Sequence, residues 1–141
     1  MGLVGGTKNG ISPQLMDLPV RQYVDVGGVR ISYRQAGAGP DLVLLHGLAG
    51  NARTWERQFD AFADKFRITA WDAPGYGESD LVSTEIEVYA DTLAAFTTAL
   101  GIERFILLGH SMGGIVAGNA AGRFPHRVRG LILSCTMLGR K

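Results

Sequence analysis

The chain has 141 residues, one domain's worth and enough to bury roughly 70% of its unfolded surface. Hydrophobic residues make up 46% and charged residues 19%, which excludes disorder for the bulk of the chain. A net charge of +1 gives no electrostatic reason to expect nucleic acid or an anionic membrane as partner.

Residues 1–19 mix Gly, Asn, Ser and Pro with no clean period and read as a flexible leader; residues 20–141 read as one domain. The first ten residues lack a basic stretch followed by an apolar run, so no secretory signal is expected. The apolar runs are strand-sized, short of the ~18 residues of a membrane span. A cytoplasmic location is the expectation. The single cysteine, Cys135, excludes an internal disulfide and a multi-cysteine metal site.

Residues 23–26 and 29–34 alternate apolar and polar around Gly27 and Gly28, which predicts a β-hairpin. Residues 42–45 are continuously apolar, as in a strand buried on both faces. Trp55, Phe59, Phe62 and Phe66 follow at helical spacing and predict a core-facing helix. Residues 66–71 predict the next strand. Thr84 and Glu87 form a candidate capping box for a helix carrying Tyr89, Leu93, Phe96 and Leu100 on one face, stopped at Gly101. Residues 105–108 predict a buried strand, 114–124 a helix ended by Pro125, and 128–134 a fourth buried strand. Strands alternating with helices predict an α/β fold: a mostly parallel sheet with helices on both faces and an N-terminal hairpin. Ligands of such sheets lie beyond the carboxyl ends of the strands. This singles out the loops at 46–50, 72–79 and 109–113.

Gly109-His110-Ser111-Met112-Gly113 matches G-x-S-x-G between a predicted strand and a predicted helix, the context of a nucleophile on a sharp turn. Flanking glycines let strand and helix pack closely, and the hydroxyl projects at the positive end of the helix. The plainer alternative is a glycine-rich turn with a helix-capping serine. An oxyanion hole needs two converging backbone N–H groups, and Met112 and Leu48 are the natural donors. Gly47 allows close approach there, and the His46 imidazole reads as a buried group holding the loop. Asp72 is either an acid catalyst or, more often at such a turn, an anchor for backbone N–H groups. No dinucleotide or nucleoside-triphosphate loop motif and no histidine pair of metal-ligand spacing occurs, so no cofactor and no metal is implied.

The three segments LLHGLAG, WDAPGYGES and LLGHSMGGIVA, in this order, resemble the α/β-hydrolase superfamily over residues 22–134. Within it the chain is similar to the cofactor-free group of esterases, enol-lactonases, carbon–carbon bond hydrolases and perhydrolase-type enzymes. The resemblance implies a small-molecule ester, lactone or activated carbonyl substrate, attacked by Ser111, with an oxyanion held by Leu48 and Met112 and an acyl-enzyme intermediate. Dehalogenases and epoxide hydrolases of the fold use aspartate where Ser111 stands. The family order is serine, acid, histidine. After Ser134 the chain offers neither a carboxylate nor an imidazole. His110 adjoins Ser111 and should leave the turn in another direction, His126 belongs to the opposite end of the sheet, and His46 sits at the oxyanion loop. The expectation is the N-terminal portion of the fold, without lid and C-terminal strands, exposing an apolar edge strand and inactive by itself. The alternatives are a non-catalytic binding module and a split enzyme completed by a second, C-terminal chain.

Overall fold

The computed structural model describes residues 17–137. The leader expected at 1–19 falls mostly outside them. Its last residues are tied down: the Pro19 carbonyl accepts from the Arg34 guanidinium at 2.6 Å, and Leu18 packs on the core.

Ten elements follow: β1 (Gln22–Val26), β2 (Val29–Ala36), β3 (Asp41–Leu45), a 3₁₀ turn (Ala52–Trp55), α1 (Glu56–Phe62), β4 (Arg67–Trp71), α2 (Ile86–Ala99), β5 (Phe105–His110), α3 (Met112–Arg123) and β6 (Val128–Ser134). One six-stranded sheet runs in the order β1-β2-β4-β3-β5-β6. The β1–β2 hairpin pairs Val26 with Val29, and Gly27 and Gly28 both take positive φ, as the two-residue turn of a right-twisted hairpin requires. β2 joins β4 antiparallel, and β4, β3, β5 and β6 are mutually parallel. The parallel register sets Leu45 beside Gly109 and Gly109 beside Leu133. The loops leaving β3, β4 and β5 therefore emerge at one carboxyl edge.

The sheet buries both faces unequally. On one, α2 and α3 cover Tyr33, Val43, Trp71 and Leu107, with Phe96 between Tyr33 and Trp71 at ring-centroid distances of 5.5 and 5.8 Å. On the other, Trp55 and Phe59 cover Leu42, Leu44, Ile68 and Ala70. Beyond α1 that second face is open. Leu42, Leu44, Phe62, Ile106, Leu108 and Ile132 line an apolar cleft of about 270 Å³.

Four local expectations need correction. The Thr84–Glu87 capping box does not form. Glu85 is the N-cap of α2, without a side-chain cap bond, and its N–H is taken instead by Ser83 Oγ at 3.1 Å. Phe62 shares its helix's core spacing yet is 42% exposed, and β6 leaves Leu131 and Ile132 40% and 48% exposed; Phe62 and Ile132 lie on the sheet face left open beyond α1, and Leu131 lies on the other face of the edge strand. The helix expected from Gly114 starts at Met112, directly after the serine. Phe66 lies outside both α1 and β4.

Phe96 is fully buried. Phe96→Ala should destabilise the chain by about 3–5 kcal/mol, as truncating a packed aromatic does. The equilibrium urea midpoint is the measurement.

Candidate active site

The turn from β5 to α3 is a single residue, Ser111, with φ 55° and ψ −120°. A non-glycine residue there is strained by about 1–3 kcal/mol and must be held by its surroundings. Four hydrogen bonds hold it, the weakest from the Ile115 N–H to the Ser111 carbonyl at 3.4 Å. The Ser111 N–H donates to the Ser134 carbonyl at 2.9 Å, and the Ser111 carbonyl accepts from the Gly114 N–H at 2.9 Å. The Thr136 hydroxyl donates to the same carbonyl at 2.8 Å. Close backbone approach does the rest. A Cβ on Gly109 would lie 2.2 Å from the Gly113 oxygen, and one on Gly113 would lie 2.1 Å from the Leu45 oxygen. The two flanking glycines thus let the strand ends and the first turn of α3 meet without side chains between them.

Ser111 is half-buried, and its hydroxyl makes no cap hydrogen bond to the first turn of α3. Gly47 stands against it: a Cβ there would be 2.8 Å from Ser111 Cβ and 3.3 Å from Oγ. Met112 is the first residue of α3, where a helix leaves its N–H without an intrahelical partner. The Leu48 N–H makes no backbone hydrogen bond among the described residues, and its side chain is exposed. Ser111, Met112, Gly47 and the start of the 46–50 loop thus meet at the carboxyl edge.

The other polar residues of the edge face inward. His46 has no exposed surface; its Nδ1 lies 2.8 Å from the Gly47 carbonyl and its Nε2 accepts from the Ala73 N–H at 3.0 Å. Burial pushes the imidazole below the ordinary histidine value of 6.5, opposed by the Gly47 hydrogen bond and the Asp72 charge. With both nitrogens engaged, His46 is not brought to Ser111 Oγ as a base. Asp72 is 1% exposed. Its Oδ1 accepts from the Ala52 N–H at 2.8 Å, and its Oδ2 accepts from the Ser32 hydroxyl at 2.5 Å. The Arg21 guanidinium lies 3.8 Å from that carboxylate. Asp72 therefore fastens its own loop and the 3₁₀ turn to β2, and has no hydrogen bond to Ser111. His110 turns to Ser134 Oγ at 3.2 Å. His126 is exposed in the turn before β6, beside Glu103 and Arg104 at the opposite end of the sheet. Among the described residues, no group of three His, Cys, Asp or Glu is arranged for a metal, and no helix is long and apolar enough to cross a membrane.

Reading the sequence missed Ser32, Thr136 and Tyr76. The Tyr76 ring packs edge-on against His46 at 5.0 Å, and its hydroxyl points to Met112 Sδ at 3.8 Å. None of the three stands in a recognisable motif of its own. Their partners are 25 to 40 residues away, with Ser32 bonding Asp72 and Thr136 bonding Ser111.

The sequence pattern of the alpha/beta hydrolase fold matches residues 40–140. The chain belongs to that family. A pimeloyl-[acyl-carrier protein] methyl ester esterase of Aeromonas hydrophila is 40% identical over 102 residues, covering 72% of this chain and 40% of the esterase. The acetyltransferase component of the acetoin cleaving system of Cupriavidus necator is 38% identical over 115 residues, 79% of this chain and 31% of that protein. Among solved structures, a bacterial membrane phospholipase A superposes with a TM-score of 0.81 at 32% identity, over 86% of this chain and 42% of the phospholipase. The chain thus spans about a third to two-fifths of the length of these relatives.

Two stability tests follow from the hydrogen bonds. Thr136→Val removes the hydroxyl on the Ser111 carbonyl and should cost about 1 kcal/mol, read by denaturant midpoint; Thr136→Ser should restore most of it. Burial lowers the His46 imidazole from its ordinary 6.5 in the fold, whereas the unfolded chain protonates it near 6.5. The unfolded state therefore binds more protons below that pH, and stability falls as pH drops through it. The His46 contribution should be constant above pH 7 and decline below about 6.5 by up to ~1.4 kcal/mol per pH unit. A melting series on the wild type and His46→Gln isolates it.

Proposed function

We propose that this chain carries the nucleophile and the oxyanion-binding groups of a serine hydrolase acting on an ester, a lactone or an activated carbonyl compound. The observation that carries this reading is Ser111. It is held at positive φ on a one-residue strand–helix turn, its hydroxyl making no cap bond to α3. An ordinary capping serine has no need of that strain, and its hydroxyl would bond the helix N-terminus; Ser111 makes no such cap bond. The sequences of two similar proteins support the substrate class: one is named a methyl ester esterase and the other a phospholipase A.

In this reading Ser111 Oγ attacks the carbonyl carbon and loses its proton to a histidine. The carbonyl oxygen becomes an oxyanion between the N–H groups of Leu48 and Met112, where donors fixed before the reaction stabilise it most. The tetrahedral adduct expels the alcohol, which takes the proton from the histidine. Water then repeats the sequence on the acyl-enzyme and frees Ser111.

The described residues place no imidazole or carboxylate in hydrogen-bonding reach of Ser111 Oγ, so the base and its acid come from further polypeptide. The open apolar cleft beside β6 is where such polypeptide would pack. A non-catalytic binding module is the rival reading.

Treatment with a fluorophosphonate, followed by peptide mass mapping, tests the nucleophile. In an assembly that includes the acid and histidine, label is expected on Ser111 and absent from Ser111→Ala. In the same assembly, Ser111→Ala should lower kcat by about 10⁴-fold or more. Unlabelled Ser111 in such an assembly, together with retained binding of an ester, would establish the binding module instead.

A further inference from the structure

His46 is the one histidine with no exposed surface among the described residues, and the reaction as proposed gives its side chain no part. Its two hydrogen bonds fix its tautomer. The Ala73 N–H, 3.0 Å from Nε2, can only donate, so Nε2 holds a lone pair. The proton of the neutral ring is therefore on Nδ1, which donates to the Gly47 carbonyl at 2.8 Å.

That carbonyl belongs to the same peptide unit as the Leu48 N–H. The unit is planar and trans, so the C=O and the N–H point in opposite directions. Whatever holds the Gly47 oxygen also aims the Leu48 hydrogen. The oxygen is held twice, by His46 Nδ1–H and by the Gly50 N–H at 3.0 Å. The peptide adjoins Ser111, since a Cβ on Gly47 would stand 3.3 Å from Oγ. A flipped peptide would present an oxygen, not a donor, on the side away from His46. Glycine offers little intrinsic resistance to such a flip. Ala49, two residues on, already has φ 61°, so the loop is far from a regular conformation. Burial keeps water from competing for Nδ1–H, and the Tyr76 ring closes one side of the imidazole.

We infer that His46 is a positioning residue whose Nδ1–H, on the Gly47 carbonyl, fixes the Gly47–Leu48 peptide with its N–H free for an oxyanion on Ser111. The inference rests on Leu48 being the oxyanion donor. His46 touches neither substrate nor Ser111 Oγ in this role. Its second bond, through Nε2, ties the 46–50 loop to the 72–79 loop, so the donor is referenced to β4 as well as to β3.

The two bonds are separable by substitution. In His46→Asn the side-chain amide nitrogen stands where Nδ1 was and keeps a donor for Gly47. In His46→Gln the amide lies one bond further out, placing an acceptor toward Ala73 and no donor at Gly47. The measurement is NMR on the full 141-residue chain, labelled with ¹⁵N and ¹³C. In the wild type, long-range ¹H–¹⁵N correlations should show His46 as the neutral Nδ1–H tautomer. The Gly47 carbonyl ¹³C and Leu48 amide resonances should stay at their wild-type positions in His46→Asn. Both should move in His46→Gln, with the Gly47 carbonyl shifting upfield. An Nε2–H or doubly protonated His46 in the wild type overturns the inference. So do unmoved Gly47 and Leu48 resonances in His46→Gln. Should that variant not fold, the wild-type tautomer and the Asn variant still decide. Fluorophosphonate labelling, which decides the nucleophile, does not enter these spectra, so either idea can fail without the other.

Discussion

The contact between the first turn of α3 and the ends of β3 and β5 is the constraint on which the rest of the site depends. Gly113 sits so near the Leu45 oxygen, and Gly109 so near the Gly113 oxygen, that neither position has room for a methyl group. With helix and strands that close, only one residue is left to turn the chain between them. Ser111 therefore takes a backbone conformation that it would not adopt alone. The strain of about 1–3 kcal/mol is matched by four hydrogen bonds on its N–H and carbonyl, the three shorter ones each contributing about 1 kcal/mol net. The surroundings just offset the strain, which is enough because the same contact also seals Val116 and Ala117 into the core.

A second layer of constraint lies behind the first. Asp72, His46 and Ser32 have no more than 1% of their surface exposed, and burying such groups is tolerable only if each is hydrogen-bonded. Their partners are the Ala52, Ala73 and Glu78 N–H groups, the Gly47 carbonyl and one another. Polar groups that look catalytic in the sequence thus serve to join three loops from three elements. The cost of leaving any one of them unpaired, about 1–3 kcal/mol, makes the loops move together or not at all. If the Leu48 N–H serves the oxyanion as proposed, a donor aimed by such a network needs no reorganisation when charge develops.

How much of this was legible in the sequence depends on how local the cause is. The hairpin at Gly27 and Gly28 and the strand–turn–helix around Ser111 follow from short-range chemistry, because turn residues and flanking apolar runs lie within a few positions of one another; Asp72 reads as an anchor from its turn, but its partners Ala52 and Ser32 come from other elements. The parallel sheet followed from the alternation of strands and helices. Thr136 and Ser32 were not legible, since each acts on a partner brought near only by the sheet. The errors at Phe62, Leu131 and Ile132 have one origin. Periodicity shows which residues of an element share a face but not whether anything covers that face. The capping-box error is of another kind. Thr84 and Glu87 have the right spacing, but the helix starts at Ile86 and Ser83 takes the local N–H instead, so a competing side chain one residue away decided the outcome.

The uncovered side of the sheet and the base that the proposed reaction requires are linked by topology. The described residues supply every feature that the β3, β4 and β5 loops can supply: a strained serine, two unengaged backbone donors and a buried network behind them. In the proposed reaction a general base must reach Ser111 Oγ from outside these loops, because His46 is committed on both nitrogens and His110 turns to Ser134. The side left open for it is that of β6, whose outer edge is unpaired within this sheet and whose Ile132 lines an apolar cleft with Leu108 and Ile106. Apolar surface of that kind drives association wherever a complementary face is offered. An element packed there would extend the sheet beyond β6 and bring its own carboxyl-edge loop alongside the Ser111 turn. On the proposed reading, the same packing that covers this face would also deliver the base, so that covering the apolar cleft and assembling the catalytic groups would be a single event.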